Sequence, residues 1–178
     1  MLSDKRIKDA EKNVGAYLKE GLLSRNTSQT AKEMYIKNSD LSLQTSHKLL
    51  SLETDDYRPY LWIIVSAYYS MYYIANAVLL TLGYKVGDKI SHKITADALI
   101  VFARNKLTRE LLEEFEDTKE DALEFMASKT DSLLEFLDFE REKRSRFQYQ
   151  MDESIKKSKA VTSISRAKQF VFELKKLL

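Results

Sequence analysis

Apolar residues return at three- and four-residue intervals along most of the chain, the spacing that lines one face of an α-helix. Ile7, Ala10, Val14, Tyr17 and Leu18 predict a first helix from about Asp4 to Leu23, with Gly21 near its end. Asn26, Thr27 and Ser28 then supply a break with capping side chains. A second helix is expected from about Gln29 to Leu52, with Ala31, Met34, Tyr35, Leu41, Thr45, Leu49 and Leu52 on or near its apolar face. Asp55, Asp56 and Pro59 open a third helix, since proline is tolerated in a first turn.

That third helix is apolar nearly all round, from Trp62 through Leu82, and Gly83 ends it. A helix without a polar face has to be enclosed by other helices or by a second subunit. Tyr84–Lys89 reads as a loop, and Ser91 as the cap of a shorter fourth helix through Phe102. Thr108 to Arg146 reads as a short helix followed by a long one, divided near the Thr118–Asp121 pair, whose spacing resembles a capping box. Leu123, Phe125, Met126, Leu133, Leu134, Phe136, Leu137 and Phe139 give the long helix its apolar surface. A polar break at Gln148–Asp152 precedes a last helix marked by Ile155, Ile164, Ala167, Val171 and Leu174. The expectation is an all-α, up-and-down bundle of five to six helices, with residues 1–27 as an N-terminal helical extension and 28–178 as the bundle.

Composition narrows the chemistry. Four Gly and one Pro in 178 residues leave too few turn residues for a sandwich or barrel. With no Cys, disulfides, thiolate metal sites and a cysteine nucleophile are excluded. His47 and His92 are far apart and outside any metal-binding spacing, so no metal and no cofactor are expected. Leu61–Leu82 is long enough to span a membrane. Its many Tyr, Ser and Asn positions favour a buried core helix and a chain that avoids membranes. The N-terminus lacks a signal core, which fits a cytoplasmic protein.

Charge is unevenly spread. Glu110–Glu140 carries about twelve carboxylates against Lys119 and Lys129, whereas Arg141–Lys176 carries about eleven cations against about four acids. Such a division marks either two solvated helix faces or an anion-binding surface. Arg141, Lys143, Arg144 and Arg146 crowd the end of the long helix, where cations complement the macrodipole. Guanidinium forks also suit phosphate oxygens, and Tyr149 beside them can stack on a base.

Two segments resemble the HEPN (higher eukaryotes and prokaryotes nucleotide-binding) domain family. Ala67–Asn76, AYYSMYYIAN, is similar to that family's second helix, and SHKITADALIVFARN from Ser91 to the start of the helix that follows. REKRSRFQY, Arg141–Tyr149, looks like its Arg-x4-Tyr element, with Arg144 and Tyr149 at the ends. The resemblance implies a homodimer that binds RNA or a nucleotide, with Arg141, Arg144, Arg146, Tyr149, His92 and Lys93 as the phosphate-binding set. It also implies a nucleotidyltransferase or another nucleic-acid-processing partner. Nuclease members, some of them toxins of toxin–antitoxin pairs, use Arg-x4–6-His for metal-independent RNA cleavage. Here Tyr149 or Phe147 stands at the histidine position. A phenol titrates near ~10 and a phenyl ring not at all, so acid–base work is weakened. Arg144, Tyr149 and His92 remain the catalytic candidates, and the balance leans away from an enzyme. The alternatives are a metal-independent ribonuclease toxin and a non-catalytic adaptor dimer. On this reading the Tyr68–Tyr73 cluster belongs to the core and dimer interface rather than to a base-stacking platform.

Overall fold

Ser3 starts the first helix: its hydroxyl accepts the Arg6 amide, so one of the orphan N–H groups of a helix start is satisfied. A computed structural model describes residues 2–137 and 153–178. Among these residues the order is α1 (Asp4–Lys19), β1 (Leu23–Arg25), α2 (Gln29–Ser51), α3 (Tyr60–Thr81), β2 (Tyr84–Val86), α4 (Ser91–Ala103), α5 (Arg109–Leu137) and α6 (Glu153–Lys175). The result is an all-α helical bundle with one small sheet.

The apolar α3 is its axis. It packs most extensively on α2, then α6, and also meets α5 and α4. Ile63, Ile64, Ala67, Met71, Ile74, Ala75, Ala77 and Val78 are fully enclosed. It is the one helix among the described residues long and apolar enough to cross a membrane, and 78% of that window is buried inside the protein. Its enclosure is achieved largely by helices of its own chain. Burying one such aliphatic side chain contributes about 1.5–3 kcal/mol.

The second helix turns only part of the expected face inward: Tyr35 and Leu49 pack on the core. Met34, Leu41 and Leu52 are exposed, while Ser39 and Ser46 are buried. Small side chains let α2 approach α3 closely, and the Ser39 hydroxyl donates to the Ser70 carbonyl at 2.8 Å. Ile36, Leu43 and Leu50 pack on the core beside these serines, so the inward face combines apolar side chains with small ones that permit close approach.

Four further expectations are corrected. The first helix ends at Lys19, because Leu23–Arg25 pairs antiparallel with Tyr84–Val86. The supposed loop at Tyr84 is therefore a strand. Gly83 leaves α3 at a φ of 89°, a left-handed turn that suits glycine, and its carbonyl accepts the Asn26 amide. Gly87 closes the same corner, its amide donating to the Leu22 carbonyl at 2.8 Å where a Cβ would sit 3.0 Å from that oxygen.

The Thr108–Arg146 stretch is not divided near Thr118. The α5 helix runs unbroken through that point, and the buried Thr118 hydroxyl donates to the Glu114 carbonyl one turn back instead of capping a helix. Nor does Ser91 cap α4: the capping position is Ile90, at a φ of 44° and with no side-chain bond. A β-branched residue in the left-handed region costs roughly 1–2 kcal/mol, so α4 begins under strain.

The α1 helix is built into the bundle. Leu2 and Ala10 join the main buried cluster, and Val14 and Tyr17 join a second with Leu23, Leu79, Tyr84 and Ile94. Below them, Arg25 lies over the Tyr84 ring at 4.2 Å, and Tyr84 stacks on Phe102 at 3.9 Å.

Candidate functional site

Of the six expected phosphate-binding residues, His92 and Lys93 lie in the first turn of α4. Arg141, Arg144, Arg146 and Tyr149 lie outside the described residues, as do Lys143, Phe147 and Phe139. His47 is exposed on α2, as its place in an amphipathic helix suggests.

His92 is half-buried, and its Nδ1 lies 2.8 Å from the Tyr68 hydroxyl. Burial raises the Tyr68 pKa, so the phenol keeps its proton and can donate it to Nδ1. That arrangement leaves the imidazole hydrogen on Nε2. The ring also packs on Tyr72 at 4.5 Å and edge-on against Tyr69 at 5.7 Å. Burial, and then the nearby Lys119 ammonium, push its pKa below the ordinary 6.5. The fold therefore favours neutral imidazole. This contribution to stability is complete above pH 6.5 and is lost as pH falls through the lowered value, because the unfolded chain binds the proton first. His92→Gln is expected to flatten the decline of stability below pH 6.5; chemical denaturation across that range checks it, and an unaltered slope would remove His92 as its source.

His92 belongs to a larger aromatic surface. Tyr68 is enclosed, but Tyr69, Tyr72 and Tyr73 are half-buried along α3. Tyr73 stacks on Tyr35 of α2 at 6.1 Å. One turn and more toward the start of α3, Trp62 is 61% exposed. Trp62, Ser66, Tyr69 and Tyr73 follow a four–three–four spacing, which places them on one helix face. Together with Val65 they form one wall of a groove of about 590 Å³, and Leu41, Ser42, Thr45 and Leu49 of α2 form the other. The core assignment of the tyrosines thus holds for Tyr68 and only in part for its neighbours. The four–three–four stripe is present in the sequence, but the all-round apolar character of α3 hides which side stays open.

The cations of the C-terminal third are mostly engaged where they are described. Arg166 meets Asp117 at 3.2 Å, and Lys159 meets Asp121 at 2.7 Å and Glu124 at 3.3 Å. Lys157 pairs with Glu53, Lys175 with Asp40 and Lys176 with Glu173. Lys159 and Arg166 thereby join α6 to α5, while Lys157 and Lys175 tie it to Glu53 and to Asp40 of α2. Among the described residues, the His92 face retains cationic character through the exposed Lys93 and through Lys119.

A buried polar cluster that sequence reasoning missed supports α4 from behind. Asp97 is fully buried; its Oδ2 accepts the Tyr17 hydroxyl and the Asn13 amide, each at 3.0 Å. Its Oδ1 lies 2.6 Å from the Arg6 guanidinium, an ion pair without good hydrogen-bond geometry. Arg6 reaches onward to Glu116 of α5 at 2.6 Å. Burial works against the Arg6 charge, but the hydrogen bond to Glu116 and the Glu116 and Asp97 carboxylates beside it outweigh burial and raise its pKa above the ordinary value. Burial, then the Asp97 charge, push Tyr17 up to about 12. These groups hold the helix that carries His92.

No cluster of His, Asp or Glu among the described residues has the makings of a metal site. Compared with family models, with curated proteins and with solved structures, the chain matches none.

Proposed function

We propose that the chain is an RNA- or nucleotide-binding protein of the HEPN type, working as a homodimer in the cytoplasm beside a nucleotidyltransferase or another nucleic-acid-processing protein. The observation that carries this reading is the setting of His92. It sits at the positive end of α4, where helix N–H groups favour an anion. Its ring is fixed by Tyr68 and Tyr72, and Lys93 and Lys119 add charge around it. Arg141, Arg144, Arg146 and Tyr149 complete the phosphate-binding set on the strength of the sequence pattern. Binding is favoured over cleavage because the motif position of the ribonucleases lacks an imidazole.

Filter binding against single-stranded RNA across a salt series tests the reading. Salt-sensitive binding is expected. The double substitution Arg144→Ala with Arg146→Ala should reduce the salt slope by about one for each phosphate it leaves unneutralised. His92→Ala is expected to weaken binding without changing the helical content. RNA that passes through the filter at low salt as freely as without protein would end the proposal.

A further inference from the structure

The groove between α2 and α3 has a composition that points to a planar ligand. Trp62, Tyr69 and Tyr73 give it three aromatic rings, and Val65, Leu41 and Leu49 an aliphatic floor. The hydroxyls of Thr45 and Ser66 already donate to the Leu41 and Trp62 carbonyls of their own helices. Their remaining capacity is as acceptors, which suits the exocyclic N–H groups of a base edge. No carboxylate is among the lining residues.

The surroundings supply the matching charge. Tyr69 belongs both to the groove and to the packing around His92, so the aromatic wall runs directly into the cationic end of α4. Lys93 and Lys119 lie on that side. Across the groove, Lys37 and Lys48 are exposed on α2, one turn before and two turns after the groove residue Leu41. Leu41 and Trp62 leave the groove's edges partly apolar, but the cations around them favour an anionic occupant, and stacking rings bordered by cations are the combination that binds single-stranded nucleic acid.

We infer that the α2–α3 groove is a stacking site for a base of single-stranded RNA, with Trp62 and Tyr69 against the base and the adjoining phosphate directed toward His92. The inference rests on the RNA-binding reading and gives it a second, uncharged component.

Trp62 is the chain's one tryptophan, so its fluorescence reports this groove alone. Titrating the full chain with oligocytidylate, whose bases carry an exocyclic amino group, is expected to quench that emission and to shield Trp62 from acrylamide. Trp62→Leu is expected to weaken binding about tenfold, as loss of one stacked base does. Its salt slope should stay that of the unaltered protein, because stacking releases no counterions. Trp62→Phe is expected to restore most of the affinity. Unchanged emission with undiminished binding by Trp62→Leu would overturn the stacking site and leave RNA binding standing. Absence of any binding would remove both. A blue shift of Trp62 that grows with protein concentration, without RNA, would assign the groove to a second copy of the chain and overturn the inference.

Discussion

Replacing Arg6 with Met is expected to lower the unfolding free energy by about 3 kcal/mol, although Arg6 lies on a terminal helix and is 26% exposed. The cost arises at Asp97. With Arg6 gone, a fully buried carboxylate keeps only the hydrogen bonds from Tyr17 and Asn13 and has no opposing charge. Breaking a buried pair from one side typically costs about 3–5 kcal/mol, and the partial exposure of Arg6 argues for the lower end. For a chain of this length that corresponds to a melting temperature lowered by roughly 6–12 °C. Adding Asp97→Asn to Arg6→Met is expected to recover part of the loss, since a neutral amide oxygen still accepts both hydrogen bonds. Thermal denaturation of the single and double variants measures the coupling. A single variant as stable as the parent would mean that the network contributes nothing. Hydrogen exchange should show the loss first in α1, which Arg6 ties to α4 and α5.

That network also marks where sequence reading stops. The helices are legible because each carries its own local signal: a three- to four-residue apolar period, Ser3 and Ser28 as caps, and Gly83 as a stop. Arg6 and Asp97 are 91 positions apart, and nothing near either announces the other. The β1–β2 pair escapes for a related reason, since three-residue strands are too short to display an alternation. The inward face of α2 is legible at Tyr35 and Leu49 and missed at Ser39, because hydropathy favours Leu41 there whereas tight packing on α3 takes the smaller side chain. At the candidate site, Ser-His-Lys at the head of α4 directs attention to His92 and Lys93. The structure adds what motif matching lacks: the Tyr68 hydroxyl on Nδ1, and the open groove next to Tyr69. The basic C-terminal stretch looks like one surface in sequence. In space, its described part is divided: Lys159 and Arg166 meet acids of α5, Lys157 and Lys175 meet Glu53 and Asp40, and Lys176 meets Glu173 on its own helix.

Phe170→Ala is expected to be the other large loss, about 3–5 kcal/mol, because it empties a fully buried position at which α6 meets α5. The Phe170 ring stacks on Phe115 at 5.2 Å, with the planes 18° apart. Phe115 in turn packs against Tyr68 at 5.9 Å, and Tyr68 holds His92. The substitution therefore removes the far support of the chain of rings that ends at the candidate site. Two residues on, Phe172 supplies an internal control on the same helix: it is 62% exposed, with the Lys176 ammonium over its ring at 4.4 Å. Phe172→Ala is expected to cost under about 1 kcal/mol, the scale of an exposed cation–π contact. Denaturant titration of both variants separates burial from composition, since each deletes the same side chain from α6. Equal losses would refute the packing argument. The functional consequence is separately measurable under conditions where Phe170→Ala stays folded. His92 ring resonances should shift and RNA affinity should fall in that variant and remain unaltered in Phe172→Ala, because only the buried ring reaches His92 through Phe115 and Tyr68.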